Sequence, residues 1–299
     1  MNKILINTGA IVVLLGINLF IFFFEGKKKL TDASSKYFDF LDGDDVKNIS
    51  IHSGENQINM KKIDEDWILN DEYGADTGFV NTFISVLAKV ESGRKMNHFQ
   101  GEKLGSVKLR FHNNAETEFD FASNLTRTKS YFIKDKNTVE VSVPGYKDHV
   151  VDLFLMHPDQ WRDRLVLDAS WRSVQKLSIH SSGRESLEIR FDDKFFLVNN
   201  QSPRDSSAVI DYLNQFQYLE ANEMISRGRF PQLDSLSETP PLAILKIDDI
   251  KFDYDLEIKV FSRISQQSYH LVVLEDKMMV IDTKRIKDLL ASSEDFLGN

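Results

Sequence analysis

The chain has 299 residues, with 46 acidic against 37 basic side chains, a net charge of −9, and no cysteine. That acidic balance argues against a nucleic-acid binder, which needs a basic face to displace counterions. The absence of cysteine excludes disulfides, thiolate nucleophiles and cysteine-held zinc.

The amino end differs from the rest. Residues 1–30 hold four lysines and one glutamate, so the remainder carries about −12 (−9 less +3). Ile4 to Phe24 is a run of 21 residues without a charge, followed by Glu25-Gly-Lys-Lys-Lys29. At 1.5 Å per residue a helix of that length spans about 30 Å, the thickness of a bilayer's hydrocarbon core. The run exceeds a signal peptide's apolar region and ends in Phe-Ile-Phe-Phe-Phe without a small-x-small cleavage site, so residues 1–29 are expected to be an uncleaved, single-pass anchor. Lysine counts on the two sides differ by about one charge and slightly favour a cytoplasmic body. Asn7 and Asn18 return to nearly one helical face, while Gly9 and Gly16 lie on the opposite one. Amides that bond across helices and glycines that permit close approach make these four residues the candidate contacts with an integral-membrane partner. Residues 30–45 read as a polar connector with an aromatic patch at Tyr37, Phe38 and Phe40. The Asp42-Gly-Asp-Asp45 cluster there lacks the spacing of a calcium loop and reads as a solvated turn.

From residue 46 the chain repeats itself. Val46-Lys-Asn-Ile-Ser-Ile-His-Ser53 returns as Val174-Gln-Lys-Leu-Ser-Ile-His-Ser181, the signature of an architecture built from two units. At the same shift Trp67-Ile-Leu69 falls on Phe195-Phe-Leu197. Val80, Phe83, Ile84, Leu87 and Val90 share the helical spacing of Val209, Tyr212, Leu213, Phe216 and Leu219. Asp76-Thr77 and Pro203 with Asp205-Ser-Ser207 supply the start signals. Val107, Leu109 and Phe111 alternate as a strand and match Ala243, Leu245 and Ile247, 136 positions on. Phe119 and Phe121, then Val139, Val141 and Val143, are answered by Leu256, Ile258 and Val260, then by Leu271 and Val273. Short helices close each copy at residues 150–156 and 283–290. The expected fold is α+β: one amino-terminal transmembrane helix followed by two tandem copies, residues 46–167 and 168–299, of a mostly antiparallel sheet-plus-helix unit. Residues shared by both copies are assigned to the fold and not to chemistry.

What the copies do not share draws attention to residues 227–241, with Gly228, Pro231, Pro240 and Pro241. They read as a surface loop, with Arg227, Arg229 and Phe230 as candidate contacts. Asp248, Asp249, Asp253 and Asp255 read as the wet face of a hairpin. His52 and His180 occupy one position in each copy and read as polar strand ends, since two nitrogens without a third ligand make a poor metal site. Asp159-Gln-Trp-Arg-Asp-Arg164 reads as packing and salt bridges. Phosphate-loop, dinucleotide, nucleophile-elbow and zincin motifs are all absent. No catalytic, cofactor-binding or metal-binding residue is assigned, and no cofactor is expected.

The opening strand Val46–Ile51, the Trp67-Ile-Leu69 strand, the Ala75-Asp76 helix start with Val80, Phe83 and Leu87, and the Trp161-Arg-Asp-Arg-Leu-Val-Leu167 bridge together resemble the bacterial domain-of-unknown-function family numbered four-three-four-zero. The likeness covers nearly the whole body through soft apolar patterns. It implies a single-pass protein of the bacterial inner membrane with a periplasmic body, against the lysine count. It also implies an association with ABC-type transporters of the gliding-motility kind, whose permease-like subunit would be the membrane partner. It carries over no functional residues. The leading expectation is a non-enzymatic accessory protein of such a complex. The alternatives are a periplasmic module holding a ligand or peptide in the crevice between repeats, and a hydrolase without a recognisable motif.

Overall fold

The computed structural model describes residues 35–38, 45–145, 149–264 and 267–298; the anchor segment Ile4–Phe24 lies outside them. The described chain is mostly antiparallel sheet with short helices. It divides into two compact units, one of residues up to Asp71 with Gly78–Met156, the other of Glu72–Thr77 with His157 onward.

The first unit contains β1 (Ser35–Lys36), β2 (Val46–Ser53), β3 (Asn56–Ile63) and β4 (Asp66–Leu69). After β5 (Tyr73–Gly74), which groups with the second unit, come α1 (Thr77–Leu87), β6 (Glu91–Met96), β7 (Gly101–Phe111), β8 (Glu116–Asn124), β9 (Ser130–Lys134) and β10 (Asn137–Ser142). The strands lie in the order β1-β6-β10-β9-β8-β7-β2-β3-β4. In β2, Val46, Ile49 and Ile51 are all buried although the first two are three apart. A bulge against Phe111 and Arg110 supplies the extra residue that brings both to one face. Helix α1 buries Val80, Phe83, Ile84 and Leu87, as its spacing predicts. Val90, the last member of that pattern, is buried beyond the helix end. The closing segment is a 3₁₀ turn at Val150–Phe154. Its Phe154 ring lies 4.8–6.2 Å from those of Phe83, Phe119, Phe121 and Phe132. Part of the stretch read as a connector belongs to this core. Tyr37 N–H donates to the Val90 carbonyl at 2.8 Å, and Phe38, 3% exposed, packs on Phe119 and Phe132.

The second unit contains β11 (Leu165–Leu167), β12 (Val174–Ser181), β13 (Leu187–Asp192), β14 (Phe195–Val198), α2 (Ser206–Leu213), β15 (Leu219–Glu220) and β16 (Glu223–Ile225). These are followed by α3 (Pro231–Ser237), β17 (Ala243–Asp249), β18 (Leu256–Arg263), β19 (Tyr269–Leu274), β20 (Lys277–Asp282), α4 (Thr283–Leu289) and α5 (Glu294–Leu297). Its eight-stranded sheet runs β14-β13-β12-β17-β18-β19-β20-β16. That is the order of β4-β3-β2-β7-β8-β9-β10-β6, with the bulge of β2 reproduced in β12 between Val174 and Lys176. Asp205 caps α2 by accepting the Ser207 N–H.

Three further sequence expectations are corrected. Register places Leu109 opposite Ile49 and Ile247 opposite Leu177, so the β7–β17 offset is 138 positions and not 136. A two-residue slip keeps every side chain on its face, which is why apolar alternation alone could not detect it. Asp249 is not on a wet face. It is 1% exposed in the position Phe111 holds in the first unit, and it accepts from Ser173 Oγ at 2.6 Å and from Lys251 N–H at 2.9 Å. Asp248, Asp253 and Asp255 are exposed as expected.

The segment 227–241 is not loop throughout. Pro231, whose missing N–H costs nothing at a first helical position, opens α3. Leu233 and Leu236 then seal Phe261, Leu271, Val273, Met278 and Val280 on the side of the sheet away from α2. With both faces covered, β19 and β20 read as near-continuous apolar runs.

Candidate functional site

The elements that distinguish the second unit converge on one carboxylate. Pro158–Trp161 form a 3₁₀ turn capped by His157, whose Nδ1 accepts the Asp159 N–H at 3.2 Å while Gln160 Oε1 accepts the His157 N–H at 2.9 Å. The turn directs Asp159 inward, where its side chain is 1% exposed. There it accepts from the Ser226 N–H at 2.9 Å, from the Ser226 hydroxyl, and from Arg229 Nη1 at 3.0 Å. Arg162 Nη1 stands 3.5 Å from the other carboxylate oxygen, and its guanidinium lies 3.9 Å over the Tyr73 ring. Arg229 also reaches Glu223 at 2.7 Å and covers the Phe230 ring at 4.6 Å. Between them Gly228, at φ +84°, makes the left-handed turn that points its N–H at Asp234.

Burial alone would raise the Asp159 pKa. The Ser226 hydrogen bonds, His157 and Arg229 outweigh it and hold the carboxyl below its ordinary range. His157 moves down from 6.5, first because burial disfavours its charged form and then because Arg229 is near; Asp159 and Glu223 oppose this. A lowered value agrees with the geometry, since Nδ1 already accepts an amide N–H and so carries a lone pair. The unfolded chain therefore takes up a proton that the folded chain refuses, and stability falls as pH drops through about 6.5. With the ring partly exposed, the slope should stay well under the ~1.4 kcal/mol per pH unit of full single-proton uptake. His157→Asn keeps a capping oxygen without titrating. Urea unfolding between pH 7.5 and 5.5 should show a steeper decline for the parent than for H157N, and equal slopes would contradict the assignment.

The carboxylate network fixes one wall of a cleft of about 250 Å³. Its apolar lining is Ile225, Phe230, Leu233, Ile264 and Val280, and its polar lining includes Glu223, Gln232 and Gln267. Such a surface suits an apolar side chain flanked by hydrogen-bonding groups, as in an extended peptide.

Of the sequence-predicted contacts, Arg229 and Phe230 are brought together by stacking, and Arg227 is exposed apart from them. Arg229 is engaged internally by Asp159 and Glu223, which leaves Phe230 and Arg227 as the candidates for a loop contact. Asn7, Gly9, Gly16 and Asn18 lie outside the described residues. His52 and His180 are exposed, and His180 Nδ1 pairs with Ser186 Oγ at 2.8 Å. The packing and salt-bridge reading of Asp159–Arg164 agrees with the structure. What it missed is that Asp159 meets Ser226 and Arg229 some seventy positions away, for which no local pattern exists. Among the described residues no helix is long and apolar enough to cross a membrane, and no three metal-ligating side chains are grouped. Compared with models of known protein families, with curated proteins and with solved structures, the chain matches none.

Proposed function

We propose that this chain is a non-enzymatic, membrane-anchored accessory protein of the bacterial cell envelope, built from two tandem copies of one α+β unit, that associates with an ABC-type transporter complex. The uncharged run Ile4–Phe24 with its trailing lysines supports the anchor. The shared strand order and bulge support the two copies. The resemblance to family four-three-four-zero supports the periplasmic body and the partner. The observation that carries the binding role is the Phe230 cleft, an apolar-lined depression beside α3, in the segment where the second copy departs from the first.

Full-length chain purified in mild detergent should bring down a transporter membrane subunit, identified by mass spectrometry. Phe230→Glu should reduce that recovery at least tenfold in protein that circular dichroism and urea unfolding show to be still folded, although some loss of stability is expected because the ring packs on the Leu233 cluster. Undiminished recovery with F230E would remove the cleft from the reading. An anchored chain that never copurifies a transporter subunit would sink the accessory role. A second reading, a module that holds a ligand or peptide in this cleft of the second unit and not in a crevice between the repeats, predicts an extractable small molecule or peptide lost in F230E.

A further inference from the structure

A second depression, of about 390 Å³, lies in the same unit between the end of β12, strand β19 and helix α4. Its apolar side is Leu242, Ile286 and Leu290, and its polar side is Ser181, Ser182, Arg184, His270 and Lys287. Among the described residues no carboxylate lines it. In a body carrying about −12, this depression is lined by two cations and no opposite charge among its described lining residues. Neither Arg184 nor Lys287 is ion-paired among the described residues. Glu185, Glu294 and Asp295 line a separate polar cleft that shares only Arg184 and Leu290 with this one. Asp295 is turned to the Ser292 N–H and hydroxyl.

His270 is oriented for the cavity. It is 7% exposed, and its Nδ1 lies 2.8 Å from the Phe261 carbonyl. A carbonyl only accepts, so Nδ1 carries a proton, and in the neutral ring Nε2 is then the acceptor. The first unit closes the same corner. Ser130, at the register position of His270, is 3% exposed and accepts the Val151 N–H; Ser53 Oγ donates to the Leu104 carbonyl. A side chain on Gly105 there would run into the His52 carbonyl and the Phe121 ring. The second unit has Ala243 at that position and leaves the corner open.

We propose that this depression binds a small amphiphilic anion, a carboxylate or phosphate bearing an apolar arm. Arg184 and Lys287 hold the charged head, Ser181 and Ser182 add hydrogen bonds, and Leu242, Ile286 and Leu290 cover the arm. His270 Nε2 accepts from a hydroxyl or amide N–H on the ligand. Both a free metabolite and the head of an anionic lipid carry this chemistry.

The test is hydrogen exchange on the full chain in nanodiscs of neutral lipid, read at residues 180–186 and 284–291. Hexanoate and butyl phosphate are the probes, with hexanol and inorganic phosphate as controls. The anionic amphiphiles should protect both segments saturably, at concentrations at least tenfold below either control. Arg184→Glu with Lys287→Glu, two exposed positions, should weaken that protection at least tenfold with no change in melting. Protection by hexanol equal to that by hexanoate would reduce the site to unspecific apolar contact and overturn the proposal. So would a response unchanged in R184E/K287E. Nanodiscs doped with phosphatidylglycerol distinguish the sources: protection without added probe identifies a lipid occupant, protection by the probes alone a free solute. Protection by neither overturns the proposal.

Discussion

Phe154→Ala should destabilise the first unit by about 4 kcal/mol and lower its melting temperature by roughly 10 °C or more. The ring is fully buried and touches four other aromatic rings, one on α1, two on β8 and one on β9. It enters on a five-residue 3₁₀ turn, too short to be held by its own hydrogen bonds. The turn is therefore held by its packing, to which the ring contributes most beside the smaller Val150 and Val151, and truncation both empties a cavity and loosens the closing segment. Hydrogen exchange should accelerate in α1, β8 and β9 while β17 to β20 keep their protection. A loss under about 1 kcal/mol would mean that the neighbouring rings collapse into the space and that the nucleus is not centred on Phe154. In the second unit the comparable segment is the longer α4, anchored by Ile286 and Leu289 and by the buried Tyr212 hydroxyl, which donates to the Leu289 carbonyl at 2.7 Å.

Asp159→Asn should cost the second unit about 3 kcal/mol, measured by urea unfolding at pH 7.5. Asparagine is nearly isosteric and can still accept from Ser226, so the substitution isolates the charge. Arg162, 5% exposed, would be left without its counter-charge, whereas Arg229 would keep Glu223. That residual partner sets the expected cost at the lower end of what breaking a buried pair produces. Asp159→Ala, which also orphans Ser226, should cost more. A double-mutant cycle with Arg229→Met should return a coupling above 1 kcal/mol, and additivity would show that solvent screens the pair. Because the same network holds Ser226 to Phe230 against the sheet, D159N should also loosen the Phe230 cleft, seen as faster exchange at residues 226–231. Carboxylate pairing of this kind is fully present well above pH 4 and is lost as pH falls through the depressed Asp159 value.

Much of the scaffold was legible in the residues themselves. The recurrent Val-x-x-Ile/Leu-x-Ile opening of β2 and β12 declared a strand in each copy, whereas the bulge that puts positions three apart on one face emerged only from the pairing register. The 0, 3, 4, 7 spacing in α1 and the Asp205 cap of α2 were equally direct. Register was less so, because a strand shifted by two presents the same pattern, and the β7–β17 match slipped by that amount. Helix α3 was hidden because Phe230, Leu233 and Leu236 become meaningful only against a second apolar face on β18 to β20. Phe38 looked like part of a tether because nothing near it in sequence reveals the gap beside Phe119 and Phe132 that it fills.

The residues alone carry the periodic and compositional features: an uncharged run long enough to span a bilayer, two recurrent strand-and-helix patterns, and an acidic body without cysteine chemistry. These are encoded in spacings of two to four residues, where backbone geometry dictates which side chains share a face. Which polar groups are structural, and where clefts open, emerged from the fold. Asp249 is buried because it fills a phenylalanine's place and Ser173 satisfies it. Asp159 becomes a hub because chain closure brings Ser226 and Arg229 to it across nearly seventy residues. A buried charge is tolerated only where partners from distant segments arrive together, and that convergence has no period to read.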